Sequence, residues 1–251
     1  MTETAINGNG TSASVHLVLQ GKGGVGKSFV AAILAQYFRT KSAPVQCMDT
    51  DPVNATFAQY RLLEAEHLKI LKRGAINEKP FDLFVPRACK GSGVFIVDTG
   101  ATTFVPLWNY ILDNEILEFF RRYDRNVFVH SVVTGGQAMT DTLNGLERLA
   151  QTTSHKNVVV WVNEYFGEVI RDGRTFEQFQ IAEEYAPKLL GTVMIRDRNP
   201  RTYGDDIREM LERRLTFDEA IQDEDFNLVS KQRLTIVRRD LFEQLDKLEI
   251  G

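Results

Sequence analysis

One eight-residue segment sets the expected fold class: Gly21-Lys22-Gly23-Gly24-Val25-Gly26-Lys27-Ser28. It matches the pattern GxxxxGK[ST] of phosphate-binding loops, and it lies between an apolar run typical of a strand, residues 15–19, and a helix-compatible run, residues 27–40. At average residue frequencies the pattern arises by chance in roughly one chain in a hundred of this length. In this context a nucleotide-binding loop is favoured over a flexible glycine loop with a surface lysine.

Each part of this loop has a chemical reason. Glycines let the backbone come close to phosphate, and the loop N–H groups and the start of the following helix favour negative charge. Lys27 is expected to reach the β- and γ-phosphates, and the Ser28 hydroxyl is expected to bind Mg²⁺. The predicted nucleotide-binding residues of the loop are Gly23, Gly24, Val25, Gly26, Lys27 and Ser28.

Along the rest of the chain, short β-branched runs alternate with longer helical patterns. This alternation predicts an α/β fold with a doubly wound, mostly parallel sheet, in which ligands bind at the carboxyl ends of the strands. The predicted strands are residues 15–19, 45–48, 94–97, 127–133, 158–162 and 191–195, with 68–71 as a weaker candidate. The predicted helices are residues 27–40, 105–123, 137–150, 176–190 and 203–214.

Composition bounds the class of protein. The 251 residues are 43% hydrophobic and 25% charged, which is ordinary for a globular protein and argues against a disordered or fibrous chain. We expect a disordered lead-in over residues 1–14 and a single P-loop ATPase domain over residues 15–251. The net charge of −4 gives no general attraction to DNA or acidic lipid, so direct DNA binding would require a local basic patch.

The cysteines and the apolar runs indicate a compartment. Cys47 and Cys89 are far apart and lack a CxxC partner, which favours a reducing, cytoplasmic setting over a disulfide scaffold or a zinc site. The first residues lack the basic and apolar regions of a secretory signal. No apolar run approaches the ~18 residues that a membrane-spanning helix needs.

Carboxylates follow two of the predicted strands. Asp49 and Asp51 come after the second strand, where they suit a Mg²⁺ shell or a base that orients water, the alternative being an Asp-Pro turn with solvated carboxylates. Asp98 ends the strand at 94–97, as in a Walker B motif that holds Mg²⁺ directly or through water. The predicted metal-binding residues are Ser28, Asp51 and Asp98.

Two further positions face the same crevice. Gly100 is expected to offer its backbone N–H to the γ-phosphate. Asn163 follows the strand at 158–162, where it could contact the nucleotide or simply cap the turn, a common use of asparagine.

With Lys22 near its start and Lys27 near its end, the loop resembles the deviant Walker A motif of the ParA/MinD family of ATPases, which includes the nitrogenase iron protein. The resemblance implies ATP and Mg²⁺ as cofactors, and an ATP-dependent homodimer with nucleotide between its subunits. It further implies that Lys22 crosses the dimer to the other subunit's nucleotide and that Asp51 positions the attacking water. The implied catalytic residues are Lys22, Lys27 and Asp51.

The same resemblance bears on the base. Asn163 resembles the family asparagine that reads the adenine edge, and Phe166 stands where guanine-specific sites of related folds carry an aspartate, so ATP is favoured over GTP. The chain departs from the family at residues 99–101, where Thr-Gly-Ala replaces the proline-containing second switch of most partition ATPases.

Longer segments resemble the TraL family of conjugal transfer proteins of broad-host-range plasmids; they are residues 19–22, 49–57, 132–137, 203–204 and 236–239. The resemblance extends from 15 to 245 and implies a ParA-like, slowly hydrolysing switch that binds a protein partner and positions plasmid DNA or a transfer complex. One alternative is a plasmid partition ATPase that binds non-specific DNA. A small-molecule kinase or ligase is a further alternative, disfavoured by Lys22 and by the lack of a recognisable substrate motif.

Three other features have simpler interpretations. The four histidines, His16, His67, His130 and His155, lack ligand spacing and are expected to be structural or surface residues. The arginine-rich segment 196–214 is nearly balanced by acidic residues, which favours a salt-bridged surface over a DNA-binding patch. An apolar stripe over residues 234–248 ends in acidic residues, which favours core packing over membrane anchoring.

Overall fold

The structure, a computed structural model, describes residues 13–72, 75–77 and 79–251. Within these residues the strands are β1 Ser14–Val18, β2 Val45–Asp49, β3 Glu66–His67, β4 Leu71–Lys72, β5 Ala75–Ile76, β6 Val94–Asp98, β7 Asn126–Thr134, β8 Val158–Asn163, β9 Ile170–Arg171, β10 Arg174–Thr175 and β11 Leu189–Ile195. The helices of the same residues are α1 Lys27–Thr40, α2 Lys79–Lys90, α3 Phe104–Asp113, α4 Ile116–Arg122, α5 Met139–Thr152, α6 Gln180–Glu184, α7 Asp205–Glu212, α8 Phe217–Gln222 and α9 Leu228–Leu245.

One parallel sheet organises the molecule. Seven of the described strands pair in the order β11-β8-β7-β1-β6-β2-β3, and each neighbouring pair is parallel. β1 lies between β6 and β7, so the chain leaves β1 toward one edge of the sheet and later crosses to the other edge after β6. A crevice opens at the carboxyl ends of strands where connections diverge in this way, and the loop that follows β1 lies at that point.

Helices cover both faces of the sheet. Val15 and Leu17 of β1 belong to a buried core shared with α2 to α6, whereas Val18 belongs to a second core shared with α1, α7, α8 and α9. Successive residues of a strand point to opposite faces, so a strand buried on both sides is apolar throughout. Full burial of each such valine or leucine contributes roughly 1.5–3 kcal/mol.

The predicted strands of this sheet are confirmed except at its edge. There the sheet strand is β3, two residues long, which lies just before the predicted 68–71. β1 begins at the fully buried Ser14, so the predicted lead-in is one residue too long. Residues 1–12 of that lead-in lie outside the described residues.

Two predicted helices were wrong in extent. The predicted helix at 105–123 is divided into α3 and α4 by Glu115, whose φ of 51° lies in the left-handed region that a right-handed helix cannot contain. The predicted helix at 176–190 is reduced to α6, because the chain turns before Pro187 and Leu189 already belongs to β11. The helix α2 was not predicted, and Pro86 within it hides its helical pattern.

The C-terminal helix α9 is part of the core, as its sequence pattern predicted. Leu234, Val237, Leu241 and Leu245 are buried and pack on the face that also holds α1. In the part of the chain that the structure describes, no helix combines the length and the apolar character needed to cross a membrane.

Candidate nucleotide-binding site

The glycine-rich loop connects β1 directly to α1, as its sequence predicted. Gly24 and Gly26 have φ values of 75° and 104°, a region that side chains other than glycine rarely adopt. A Cβ atom at Gly26 would lie 2.9 Å from the Asn163 amide nitrogen. These two glycines let the loop curl so that the start of α1 faces the crevice, which is the arrangement that binds phosphate.

Lys27 is held inside the loop. Its side chain is buried, and its Nζ donates a hydrogen bond to the backbone oxygen of Lys22 at 2.9 Å. Burial lowers the pKa of Lys27, while the nearby carboxylates of Asp98 and Asp51 act in the opposite direction. A buried cation that has lost most of its hydration is poised to bind an anion.

Gln20, which the sequence analysis did not single out, fixes the start of the loop. Its Nε2 donates to the backbone oxygens of Val132 at 2.8 Å and Thr142 at 3.0 Å, and its Oε1 accepts from the Gly21 N–H at 2.8 Å. Both N–H groups and the oxygen of its amide therefore hold the loop against β7 and α5. The one sequence signal was an amide residue directly before the glycines, at the end of an apolar strand.

Asp98 and Ser28 meet as predicted. The Ser28 hydroxyl donates to Asp98 Oδ2 at 2.6 Å. Oδ1 of the same carboxylate is buried and, within the described residues, has no hydrogen-bond partner. Burial raises the pKa of Asp98 to about 7 despite the Ser28 hydrogen bond.

This pair fits a magnesium ion. A buried carboxylate oxygen without a partner is costly, and a divalent cation would satisfy it and hold the ionised form. Ser28 and Asp98 supply the oxygen donors that Mg²⁺ prefers. Across the described residues no group of three or more His, Cys, Asp or Glu side chains is arranged to hold a metal, so phosphate oxygens and water would complete the shell.

Asp49 shapes the loop after β2 rather than facing the crevice. Its Oδ1 accepts from the Asp51 N–H at 2.9 Å, and its Oδ2 accepts from the Ala58 N–H at 3.0 Å. The side chain is fully buried, and that burial raises its pKa. One carboxylate thus ties together the two ends of the segment 51–58, which we call the 51–58 loop.

Asp51 lies in the crevice beside the predicted second switch. Its Oδ1 accepts from the backbone N–H groups of Val53 at 2.9 Å and Asn54 at 3.2 Å. A Cβ atom at Gly100 would lie 2.9 Å from Asp51 Cγ, so glycine at this position permits the contact between the two loops. His67 Nε2 lies 3.0 Å from the Asp51 backbone oxygen, a contact that sequence alone did not indicate.

Asn163 contacts the glycine-rich loop itself. Its Nδ2 donates to the Val25 backbone oxygen at 2.9 Å, and its Oδ1 accepts from the Tyr165 N–H at 3.1 Å, which caps the turn at 164–166. Its position at the crevice agrees with the sequence analysis. Adenine reading by this amide stays a prediction.

Lys22 makes a contact that its sequence pattern did not indicate. Its Nζ lies 2.8 Å from Asp141 Oδ2 at the start of α5, and its contact across a dimer stays a prediction. Both side chains are about half exposed. Asp141 could not be identified from sequence, because only the packing of α5 beside the loop brings the two residues together.

Two cavities adjoin across the loop. One, of about 430 Å³, is lined by the phosphate-binding side chains Lys27 and Ser28 together with Asp51. The other, of about 380 Å³, has Asn163 at one end and apolar walls that include Ile195 and Ile207. The residues that line both are Gly24, Gly26, Phe29, Leu211 and Arg214. A cavity that holds the phosphate-binding side chains, next to one that holds Asn163 and apolar side chains, matches a phosphate chain attached to a planar base.

The fold and this loop define a class of protein. The model of the CobQ/CobB/MinD/ParA nucleotide binding domain matches residues 16–233, and the chain belongs to that family. Within it, the chain is 43% identical over 235 residues to a protein named Protein TraL from Escherichia coli, covering 93% of this chain and 98% of that protein.

Solved structures agree on the fold. The MinD cell division protein of Aquifex aeolicus superposes with a TM-score of 0.54 and 14% identity, covering 95% of this chain and 99% of that chain. A plasmid partition protein of Borrelia burgdorferi bound to AMPPNP gives a TM-score of 0.50 and 15% identity, covering 94% and 99%. At such identities the likeness shows the shared architecture alone.

Proposed function

We propose that this protein is an ATPase that binds MgATP, dimerises with the nucleotide between its subunits, and hydrolyses it slowly as a switch in plasmid conjugal transfer. The observation that carries the proposal is the pairing of Ser28 with Asp98 beside the glycine-rich loop, where Asp98 Oδ1 is buried and has no hydrogen-bond partner among the described residues. This arrangement is suited to a metal-bound triphosphate. Family membership and the resemblance to Protein TraL support the transfer role.

In this proposal each residue of the site has a separate task. The loop N–H groups and Lys27 bind the β- and γ-phosphates, and Ser28 and Asp98 hold Mg²⁺, which neutralises charge that develops on the phosphates. Asp51 orients the water that attacks the γ-phosphorus, and its free oxygen accepts the hydrogen bond from that water. The Gly100 N–H binds the γ-phosphate, and Asn163 contacts adenine.

The output of the switch is binding to a partner. We infer that the ATP-bound dimer, and not the free subunit, binds a protein component of the transfer machinery and so positions DNA or a transfer complex. The arginines of segment 196–214 do not favour direct DNA binding, because Arg196, Arg198, Arg208 and Arg213 each pair with a carboxylate. A partition ATPase that binds DNA directly would bind random duplex only with ATP, and its affinity would fall steeply with salt.

The first test removes the phosphate lysine. Lys27→Ala should lose MgATP binding without unfolding, because Lys27 is the first residue of α1 and its amine contacts a backbone oxygen of the glycine-rich loop rather than the apolar core. A fluorescent ATP analogue measures the affinity, circular dichroism the folding, and Lys90→Ala, at an exposed lysine at the end of α2, is the matched control. Unchanged nucleotide affinity and turnover in folded Lys27→Ala would show that the glycine-rich loop is not the phosphate-binding loop.

A further inference from the structure

The arginines around α7 differ in their partners. Arg208 pairs with Asp205 at 2.9 Å, and Arg213 pairs with Asp223 and Asp225. Within the described residues, no carboxylate lies in ion-pair range of Arg214, the next residue along the chain. A guanidinium that lines both cavities and has no carboxylate partner among the described residues is available to an anionic ligand.

The backbone of Arg214 is held in an unfavourable conformation. It lies two residues after the end of α7 and has a φ of 55°. Its N–H donates to the Leu211 oxygen at 3.2 Å, and the Leu215 N–H donates to the Met210 oxygen at 3.0 Å. This is the end of a helix at which glycine is the common residue, because side chains with a Cβ are strained there. Glycine could therefore replace Arg214 here without loss of backbone stability.

The side chain lies where the two cavities meet. Arg214 lines both the cavity that holds Lys27 and the cavity that holds Asn163. Its Nε donates to Gln59 Oε1 at 3.2 Å, and its guanidinium also donates to the Leu211 backbone oxygen. Gln59 in turn donates from Nε2 to the Asn54 backbone oxygen at 3.0 Å. The guanidinium is thereby fixed at the junction and connected to the 51–58 loop.

We propose that Arg214 is a nucleotide-binding residue that contacts the phosphate chain of the nucleotide held in its own subunit, from the side opposite the glycine-rich loop. The proposal rests on the proposed function, since it takes a nucleoside phosphate as the ligand. Five N–H donors in a planar fork let a guanidinium bind phosphate oxygens while keeping its contacts to Gln59 and Leu211. Through Gln59, the phosphate chain then also holds the 51–58 loop in place.

Substitution by glycine gives a test that separates binding from folding. Arg214→Gly removes the guanidinium and also relieves the left-handed backbone, so the free protein should melt no lower than wild type. Its affinity for a fluorescent ADP analogue should fall about 10- to 100-fold, the usual loss for hydrogen bonds to a charged group. Arg214→Lys, which keeps the charge but loses the fork, should fall in between. Arg213→Ala, whose arginine faces Asp223, is the matched control and should bind as wild type does.

The outcomes distinguish the two proposals. If wild type binds nucleotide and Arg214→Gly binds it equally well, the role of Arg214 is refuted and the proposed function stands. If wild type binds neither ADP nor MgATP, both fail together. A weakened Arg214→Gly that also melts well below wild type would assign the residue to folding and overturn the inference.

Discussion

At the scale of single residues, Lys22 shows how a charged side chain can have two competing partners. Its pair with Asp141 is exposed, and such pairs contribute about 0–1 kcal/mol. A contact to a phosphate across a dimer would be charge-assisted and worth about 1.5–3 kcal/mol. In the proposed dimer, exchange of Asp141 for the phosphate would therefore be favourable for Lys22.

We expect Lys22→Ala to bind nucleotide almost normally as a monomer but to dimerise and hydrolyse ATP poorly. The reason is that the lysine lies outside the cavity that holds Lys27 and Ser28. Light scattering with ATP, in an Asp51→Ala background that preserves the nucleotide, measures the dimer. Asp141→Ala is the control: it frees Lys22 and should strengthen dimerisation by no more than about fivefold. Equal dimerisation of wild type and Lys22→Ala would show that the lysine serves only the surface pair.

Asp51 has two tasks that one substitution cannot separate. Its Oδ1 caps the 51–58 loop, and its other oxygen is the proposed partner of the attacking water. Asp51→Ala should retain ATP and hydrolyse it about 10²-fold or more slowly. Asp51→Asn can still accept the two backbone hydrogen bonds but lacks the carboxylate charge. It should therefore hydrolyse ATP as slowly as Asp51→Ala if Asp51 orients the attacking water. Single-turnover rates decide, and a wild-type rate for Asp51→Asn would leave Asp51 with a structural role only.

At the scale of elements, a chain of buried polar groups crosses the middle of the sheet. Trp161 Nε1 donates to His130 Nδ1 at 3.0 Å, His130 Nε2 lies 2.9 Å from His16 Nδ1, and His16 Nε2 lies 3.0 Å from Ser14 Oγ. The indole can only donate, so it fixes the proton of His130 on Nε2 and, in turn, that of His16 on Nε2. The structural role predicted for these two histidines is confirmed, and both rings must be neutral.

We expect neither ring to titrate between pH 7.5 and 5.5. Burial lowers the pKa of His130 to about 3 and that of His16 well below its usual range, to which the neighbouring His130 also contributes. Nitrogen-15 chemical shifts should report two Nε2–H tautomers throughout that range. A ring that gains a proton near pH 6.5, as a solvated histidine does, would contradict the network.

The same burial has a consequence for stability. The folded state keeps both rings neutral, while the unfolded chain takes up protons below about pH 6.5. The two histidines therefore lower the free energy of unfolding by up to about 2.7 kcal/mol for each pH unit as the pH falls. Asp98, with a raised pKa of about 7, works in the opposite direction because its folded form gains a proton first. Urea unfolding of Asp98→Asn should therefore show a steeper acid loss than wild type. If the free energy of unfolding of Asp98→Asn fell with acid no more steeply than that of wild type, this explanation would be wrong.

Elements differed in how well the sequence predicted them. α1 was predicted with its observed ends, because Gly26 directly precedes it and its apolar pattern is continuous. The break at Glu115 and the short α6 were missed because a left-handed residue and an early strand start depend on tertiary packing. The sheet centre was clear because strands buried on both faces are apolar throughout.

Across the complete fold, some residues of the candidate site could be predicted from sequence and others are brought there only by tertiary packing. Lys27, Ser28 and Asp98 could be placed at the crevice from sequence, because the first two belong to the GxxxxGK[ST] pattern after β1 and Asp98 ends β6. Asp141 and Arg214 could not, because each comes from a segment distant in sequence, Asp141 from α5 and Arg214 from the turn after α7. Charge balance along segment 196–214 even concealed Arg214, since the pairing of its neighbours is visible only in three dimensions.

The whole molecule also bears on membrane binding. The apolar stripe of α9 is consumed by the core, so the helix has no apolar face left to enter a lipid surface. What stays exposed is a short apolar pair at its start, Leu228 and Val229, which are 85% and 61% exposed. Two residues bury too little area for stable attachment, and the net charge of −4 opposes binding to anionic lipid.

We therefore expect vesicles of phosphatidylglycerol and phosphatidylethanolamine not to recruit the protein, with or without ATP. Co-sedimentation measures this, and the double variant Leu228→Ser, Val229→Ser is the matched comparison because it changes the exposed pair and leaves the buried stripe intact. Truncation within α9 would be a poorer test, since it removes the buried Leu241 and Leu245 and would destabilise the core by several kcal/mol. ATP-dependent sedimentation of wild type that the double variant loses would show that this pair is a membrane contact. Sedimentation that both share would place the lipid-binding surface elsewhere, and either result would refute the expectation that the switch acts away from lipid.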